Sequence, residues 1–221
     1  MYDFDSLHGE LKLSAITNYS KYNRNFYKLN PYYFRPDGTI LFCGKQGAGK
    51  TLSAVRYIER IASKYPKCKI VSNIQLNLAV DNDIIPYTNM QDLSDMDNST
   101  YGILAFIDEI QILFNSLESK KISPTELAII SQQRKRRLHL VGTTQVFGRV
   151  AKAFREQVSV AVDCTCHFGF IQRNHVIDMG SLKETVGDNL SDYKYSRHFT
   201  FIRDPVYFEK YDTYQRISKE I

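Results

Sequence analysis

The run Gly44-Lys45-Gln46-Gly47-Ala48-Gly49-Lys50-Thr51 most constrains what this chain can fold into. It fits the phosphate-binding pattern G-x-x-x-x-G-K-[ST] with no deviation, the pattern also called a Walker A motif. The apolar stretch Thr39-Ile40-Leu41-Phe42-Cys43 precedes it, and a helical pattern runs from Lys50 to about Ser63. A strand, a glycine-rich loop and a helix start are the setting this motif requires. Glycines let successive backbone N–H groups converge on a phosphate, and the helix N-terminus adds partial positive charge. All eight residues, Gly44 to Thr51, are therefore expected to hold a nucleoside triphosphate. Lys50 reaches the β/γ-phosphates, and the Thr51 hydroxyl is a ligand for Mg²⁺.

A second signal narrows the chemistry. Gly102-Ile103-Leu104-Ala105-Phe106-Ile107 is a continuous apolar run ending in Asp108-Glu109. Such runs suit central parallel strands covered on both faces. A carboxylate at the carboxyl end of that strand lies beside the P-loop, where Asp108 can hold Mg²⁺ (the Walker B position). Glu109 is placed to polarise a water for attack on the γ-phosphate. A third strand candidate, Leu138 to Gln145, ends in an amide that can bond the γ-phosphate or the attacking water. The basic run Arg134-Lys135-Arg136-Arg137 stands just before it. Arginine stabilises charge on a transferring phosphoryl group and can come from a neighbouring subunit. Arg134 and Arg137 are the preferred candidates, and the sequence does not choose between them. A solvated helix end accounts for the same run equally well.

Together these motifs resemble the FtsK–HerA group of DNA-pumping ATPases. Within that group the chain is similar to the zonula occludens toxin-like proteins of filamentous phages, and more loosely to the DNA-packaging ATPases of membrane-containing viruses. Val71-Ser72-Asn73-Ile74 and Tyr211-Asp212-Thr213-Tyr214 agree in detail. The resemblance implies ATP and Mg²⁺ as ligands, a homo-oligomeric ring and DNA as the moved polymer. It also implies a membrane- or capsid-associated protein partner and a place in the host cytoplasm or with the virion. The implied function is an ATP-driven motor that translocates DNA in genome packaging or phage extrusion. The alternative is an ATPase switch or helicase-loader that remodels protein. A small-molecule kinase fits less well, because an Asp-Glu pair with a strand-end Gln suits attack by water.

The expected fold is a three-layer α/β P-loop NTPase of the additional-strand, catalytic-glutamate type. Its sheet is mostly parallel, with β-rich additions from about residue 157. The strand Lys67–Ser72 is taken as the added strand between the P-loop strand and the Asp108 strand. Residues 1–38, rich in Tyr and Phe without clean periodicity, form an N-terminal strap, and 39–221 form the ATPase domain. Ser123-Pro124-Thr125-Glu126 reads as a capping box with Pro at the first helical position. The helix it starts is expected to carry Gln132, Gln133 and Arg134 toward the nucleotide side of the sheet. A short helix is expected over about 148–156, a hairpin turn at Arg173-Asn174-His175, and loop over 180–198.

No apolar run approaches the roughly 18 residues needed to cross a membrane. The start, Met1-Tyr2-Asp3-Phe4-Asp5, lacks the pattern of a signal peptide. The net charge of +5, from 29 Lys and Arg against 24 Asp and Glu, permits binding to a nucleic-acid backbone without requiring it. Cys164 and Cys166 with His167 have no second pair at metal-ligand spacing. Their alternation places both thiols on one strand face, as two small core residues.

Overall fold

The computed structural model describes residues 13–181 and 187–212. By contact they group into two units, one ending at Tyr33 and one beginning at Phe34. The first contains the helix α1 (Leu13–Leu29), none of whose residues is buried. Tyr22 stacks on Phe26, and Phe26, Tyr27 and Tyr33 meet edge-to-face within this unit. The aromatic spacing is too irregular to mark a helix face, so the sequence suggests a strap without naming the helix. Thr213 and Tyr214 of the C-terminal motif, and the first five residues, lie outside the described residues.

The second unit is an eight-stranded sheet. Its strands are β1 (Gly38–Cys43), β2 (Lys69–Ser72), β3 (Ile84–Pro86), β4 (Ile103–Ile107), β5 (Leu138–Thr144), β6 (Val158–His167), β7 (Ile171–Asp178) and β8 (Arg197–Ile202). They lie in the order β3-β2-β4-β5-β1-β6-β7-β8. The pairings from β3 through β6 are all parallel, and β7 and β8 add antiparallel strands at one edge.

Alternation along the central strands feeds two cores. Ile103, Ala105 and Ile107 of β4 face one side, while Leu104 and Phe106 face the other. The helix α2 (Lys50–Lys64) covers the second face with Leu52, Val55, Ile58 and Ala62. The first face is covered by α3 (Met90–Asp95), α4 (Pro124–Ser131) and α6 (Lys152–Arg155). The short α5 (Gln133–Arg136) leads into β5. Strands buried on both faces require this three-layer α/β arrangement. The capping box forms as expected: Ser123 accepts from the Glu126 N–H, and Glu126 accepts from the Ser123 N–H.

Four expectations need correction. The strand inserted in space between β1 and β4 is β5, and β2 lies beyond β4. Order along the chain does not set order in a sheet built by crossover connections. The hairpin turn falls at Phe168-Gly169, both at positive φ, and not at Arg173–His175. Asn174 is polar yet wholly buried in β7, so polarity gave a false turn signal there. The expected helix over 148–156 is confined to Lys152–Arg155, after a 3₁₀ turn at Phe147–Arg149. Within the expected loop over 180–198, Arg197 and His198 begin β8.

Candidate functional site at the carboxyl ends of the strands

The P-loop connects β1 to α2, and its backbone turns through positive φ at Gly44, Gly47 and Gly49. Gly49 is the left-handed N-cap of α2, a conformation that disfavours a side chain. The Gly44 N–H donates to Thr144 O of β5 at 3.3 Å, and the Ala48 N–H donates to Lys45 O within the loop at 3.1 Å. Lys50 is almost fully buried at the start of α2. Its Nζ lies 3.4 Å from Lys45 O and 3.9 Å from Glu109 Oε1.

Asp108 and Glu109 follow β4 directly. The Thr51 hydroxyl donates to Asp108 Oδ1 at 3.0 Å, and the Thr143 hydroxyl donates to the same oxygen at 2.7 Å. Asn73, just after β2, clasps the Asp108 backbone: it accepts from the N–H at 2.8 Å and donates to the carbonyl at 3.0 Å. Burial pushes the Asp108 carboxyl above its ordinary value, an effect the Thr143 and Thr51 hydroxyls oppose. Glu109 sits at φ 52°, sparsely populated for a side-chain-bearing residue. Its N–H donates to Thr143 Oγ1 at 2.9 Å, while Gln111 and Gln145 present their amides to its carboxylate, Gln145 at 3.4 Å. Lys50, Thr51, Asp108, Glu109 and Gln145 thus converge at one end of the sheet. Thr143, Asn73 and Gln111 hold them there. The sequence marks Asn73 and Thr143 only as parts of motifs, and carries no signal for Gln111.

The arginines lie elsewhere. Gln133, expected on the nucleotide side, donates to Thr39 Oγ1 at 2.6 Å, at the start of β1. Arg134 pairs with Asp37 at 3.7 Å, just before β1, with most of its side chain in solvent. Arg137, at positive φ, immediately precedes β5. The seven residues of β5 then separate this end from the P-loop end by about 20 Å, at about 3.3 Å per residue. The helix therefore delivers Gln133 and Arg134 to the amino ends of the strands, because α4 and α5 run back across the sheet before β5 begins. Arg136 bonds Ser94 there. Of the two cysteines read as core, Cys164 is buried and its thiol is pushed up to about 12 by burial, whereas Cys166 is partly exposed.

The segment after β8 forms a wall that the sequence did not foresee. Arg203, Phe208, Tyr211 and Asp212 line one cavity with Gly49, Lys50, Thr51, Leu52 and Asp108. An isolated bridge joins Leu76 to Tyr211, the Asn77 N–H donates to Lys210 O at 2.8 Å, and Lys210 pairs with Glu59 of α2. The phosphate loop is thereby enclosed by the last described part of the chain.

The sequence model of the zonular occludens toxin (Zot) family matches residues 38–195. The chain belongs to the Zot family. The match begins at the first residue of β1 and ends just before β8, so it spans the P-loop and both carboxylates. The crystal structure of the N-terminal domain of zonular occludens toxin from Neisseria meningitidis is similar at TM-score 0.55 and 14% identity. That alignment covers 80% of this Zot-family chain and 100% of the other. The genome packaging NTPase B204 from Sulfolobus turreted icosahedral virus 2, in complex with AMPPCP, is similar at TM-score 0.53 and 12% identity. Here 66% of this chain and 95% of the other are covered. At such identities the likeness is one of fold, the P-loop NTPase α/β fold. No curated protein sequence matches this Zot-family member. Among the described residues, no helix is long and apolar enough to cross a membrane.

Proposed function

We propose that this chain is an ATP-hydrolysing motor that translocates DNA, in genome packaging or in phage extrusion. The observation that carries the reading is the convergence of Lys50, Thr51, Asp108, Glu109 and Gln145 at the carboxyl ends of parallel strands. Ligands of open α/β sheets bind at that end. Backbone N–H groups within the Gly44–Thr51 loop cradle the phosphates, and Lys50 neutralises the γ-phosphate. Arrival of that phosphate draws Lys50 away from Glu109 and frees the carboxylate to take a proton from water. Gln145, already bonded to Glu109, orients the same water. The Thr51 hydroxyl and the buried Asp108 carboxylate are hard oxygen donors sharing one contact, a set that suits Mg²⁺. When bound, Mg²⁺ neutralises charge on the β- and γ-oxygens.

DNA as the moved polymer is supported by the family and by the likeness to a genome packaging NTPase. Arg134 and Arg137 lie a strand length from their own P-loop, so in this reading they serve the P-loop of the next subunit in a homo-oligomeric ring. The ATPase domain spans 39–221, with residues 1–38 as an extension, and the ring works in the host cytoplasm, or with the virion, against a membrane- or capsid-bound partner. The test is ATP hydrolysis with and without double- and single-stranded DNA over a range of salt. DNA should stimulate turnover, and salt should remove the stimulation by screening backbone contacts. Turnover without any DNA response would favour a protein remodeller. Absence of phosphate release without an added acceptor would favour a kinase.

A further inference from the structure

Arg203 returns over the P-loop from the end of β8. Its Nη2 donates to Gly47 O at 2.9 Å, and its Nη2 and Nε both donate to Gln172 Oε1, at 2.8 and 3.0 Å. Gln172 of β7 is fully buried and donates to Ala48 O at 2.9 Å and to Asn174 Oδ1 at 2.8 Å. Asn174, also fully buried, donates in turn to Ser53 Oγ at 3.0 Å, in the first turn of α2. A line of buried amides therefore ties β7 to the middle of the phosphate loop and to the first turn of α2. A Cβ on Gly49 would lie 2.1 Å from Gln172 Oε1 and 2.5 Å from Arg203 Nη2. These two side chains fill the space that glycine leaves open.

A brace of this kind needs no charge, since a neutral amide also donates to carbonyl oxygens. The guanidinium here meets only neutral oxygens, and among the described residues none of its bonded partners is a carboxylate. It lines the cavity that also holds Lys50, Thr51, Leu52 and Asp108. Arg203 is anchored on Gly47 O in the middle of the phosphate loop and shares this wall with Thr51 and Leu52 at the start of α2. With Nε and Nη2 already bonded, Nη1 keeps two N–H donors that can meet phosphate oxygens, carrying the guanidinium's positive charge.

We propose that Arg203, positioned by Gln172, is a second phosphate-binding cation that acts within one chain on the α- and β-phosphates of the nucleotide. This rests on the reading of the cavity as a nucleotide site. The contact is the same for diphosphate and triphosphate. Arg203 differs in this from a γ-phosphate arginine supplied by a neighbour. Release of the diphosphate product then requires Arg203 to let go, which couples product exit to the β7–β8 hairpin.

Titration of the full chain with Mg·ADP and with Mg·ATP at several salt concentrations tests the assignment, together with steady-state hydrolysis. R203A should weaken both nucleotides by about tenfold or more, to a similar extent, as loss of a charge-assisted contact implies. Its affinity should also depend less steeply on salt, a change that mere loss of a brace would not produce. The loss should appear in KM more than in kcat, because a contact made equally in ground and transition states acts on binding. R203K, which keeps the charge and loses the fork, should recover part of the affinity and carries the test if R203A does not fold. Q172M should weaken both nucleotides less than R203A and leave the salt dependence intact. Unchanged ADP affinity in R203A and R203K would overturn the proposal, as would a loss confined to ATP with a collapse in kcat. A wild-type chain that binds neither nucleotide would remove the nucleotide reading and this proposal with it.

Discussion

Thr143 sits between the two carboxylates, donating its hydroxyl to Asp108 and accepting the N–H of Glu109. The consequence of its removal follows from that double role. T143V keeps the shape, strips one donor from an already destabilised carboxylate and leaves a backbone N–H unbonded. Removing one partner of a buried polar pair costs about 1–3 kcal/mol, so Mg·ATP affinity should fall by about tenfold. The loss should grow as pH falls, because the Asp108 carboxyl, raised by burial, then protonates at a still higher pH. A pH series of binding isotherms checks this, and a pH-independent loss would count against it. Glu109→Gln makes a different prediction: binding retained, turnover down by at least about a hundredfold, as removal of a general base implies. Hydrolysis at the parental rate would remove Glu109 from the reaction.

At the scale of elements, His139 joins β5 to α2 and to the entry of β1. Its Nδ1 lies 3.0 Å from Gly38 O and 3.2 Å from Asp37 O, so that nitrogen carries the proton. Nε2 then accepts from the Tyr57 hydroxyl at 2.8 Å. Burial pushes the imidazole down to about 4. The unfolded chain takes up the proton near 6.5, well before the folded one does. Stability from this group is therefore complete above about pH 6.5 and is lost as pH falls toward 4, by about 3 kcal/mol at most. Urea unfolding of the wild type and of His139→Asn should show two curves that converge on acidification. Parallel curves would mean that His139 does not control the acid limb.

The same scale shows what was legible in the sequence. β1, α2 and β4 were legible because their signals are local: a loop motif, an apolar run, a paired acid. The α4 cap was legible for the same reason, with donor and acceptor three residues apart. The sheet order around β2 and β5 was not, since the motif spacing is identical for either arrangement. Gln172 and Arg203 left no spacing signal at all, being 124 and 156 residues from the loop carbonyls they bond. Buried amides in β7 even imitated a turn.

For the whole molecule, the decisive separation is between the P-loop end of the sheet and the arginines at the other end. If Arg134 or Arg137 completes a neighbour's site, specific activity should rise with protein concentration as rings form. Mixing inactive Glu109→Gln subunits with inactive R134A or R137A subunits should restore part of the hydrolysis, because some interfaces then pair an intact base with an intact arginine. A strictly proportional rate with no recovery on mixing would leave Arg134 as a surface charge, worth little where most of its side chain is solvated, and Arg137 as a residue of the fold alone.

The clamp on the phosphate loop also has a history, since a chain is made from its amino end. Gly44 to Thr51 leave the ribosome early, yet the groups that hold Ala48 and Gly47 come from residues 172 and 203. Until that hairpin is synthesised and docks, Gly49 has nothing above it and the loop is unbraced. A nascent chain halted before β7 carries the complete P-loop motif without the Gln172 and Arg203 side chains that bond its carbonyls. Those contacts arrive only with the antiparallel edge of the sheet.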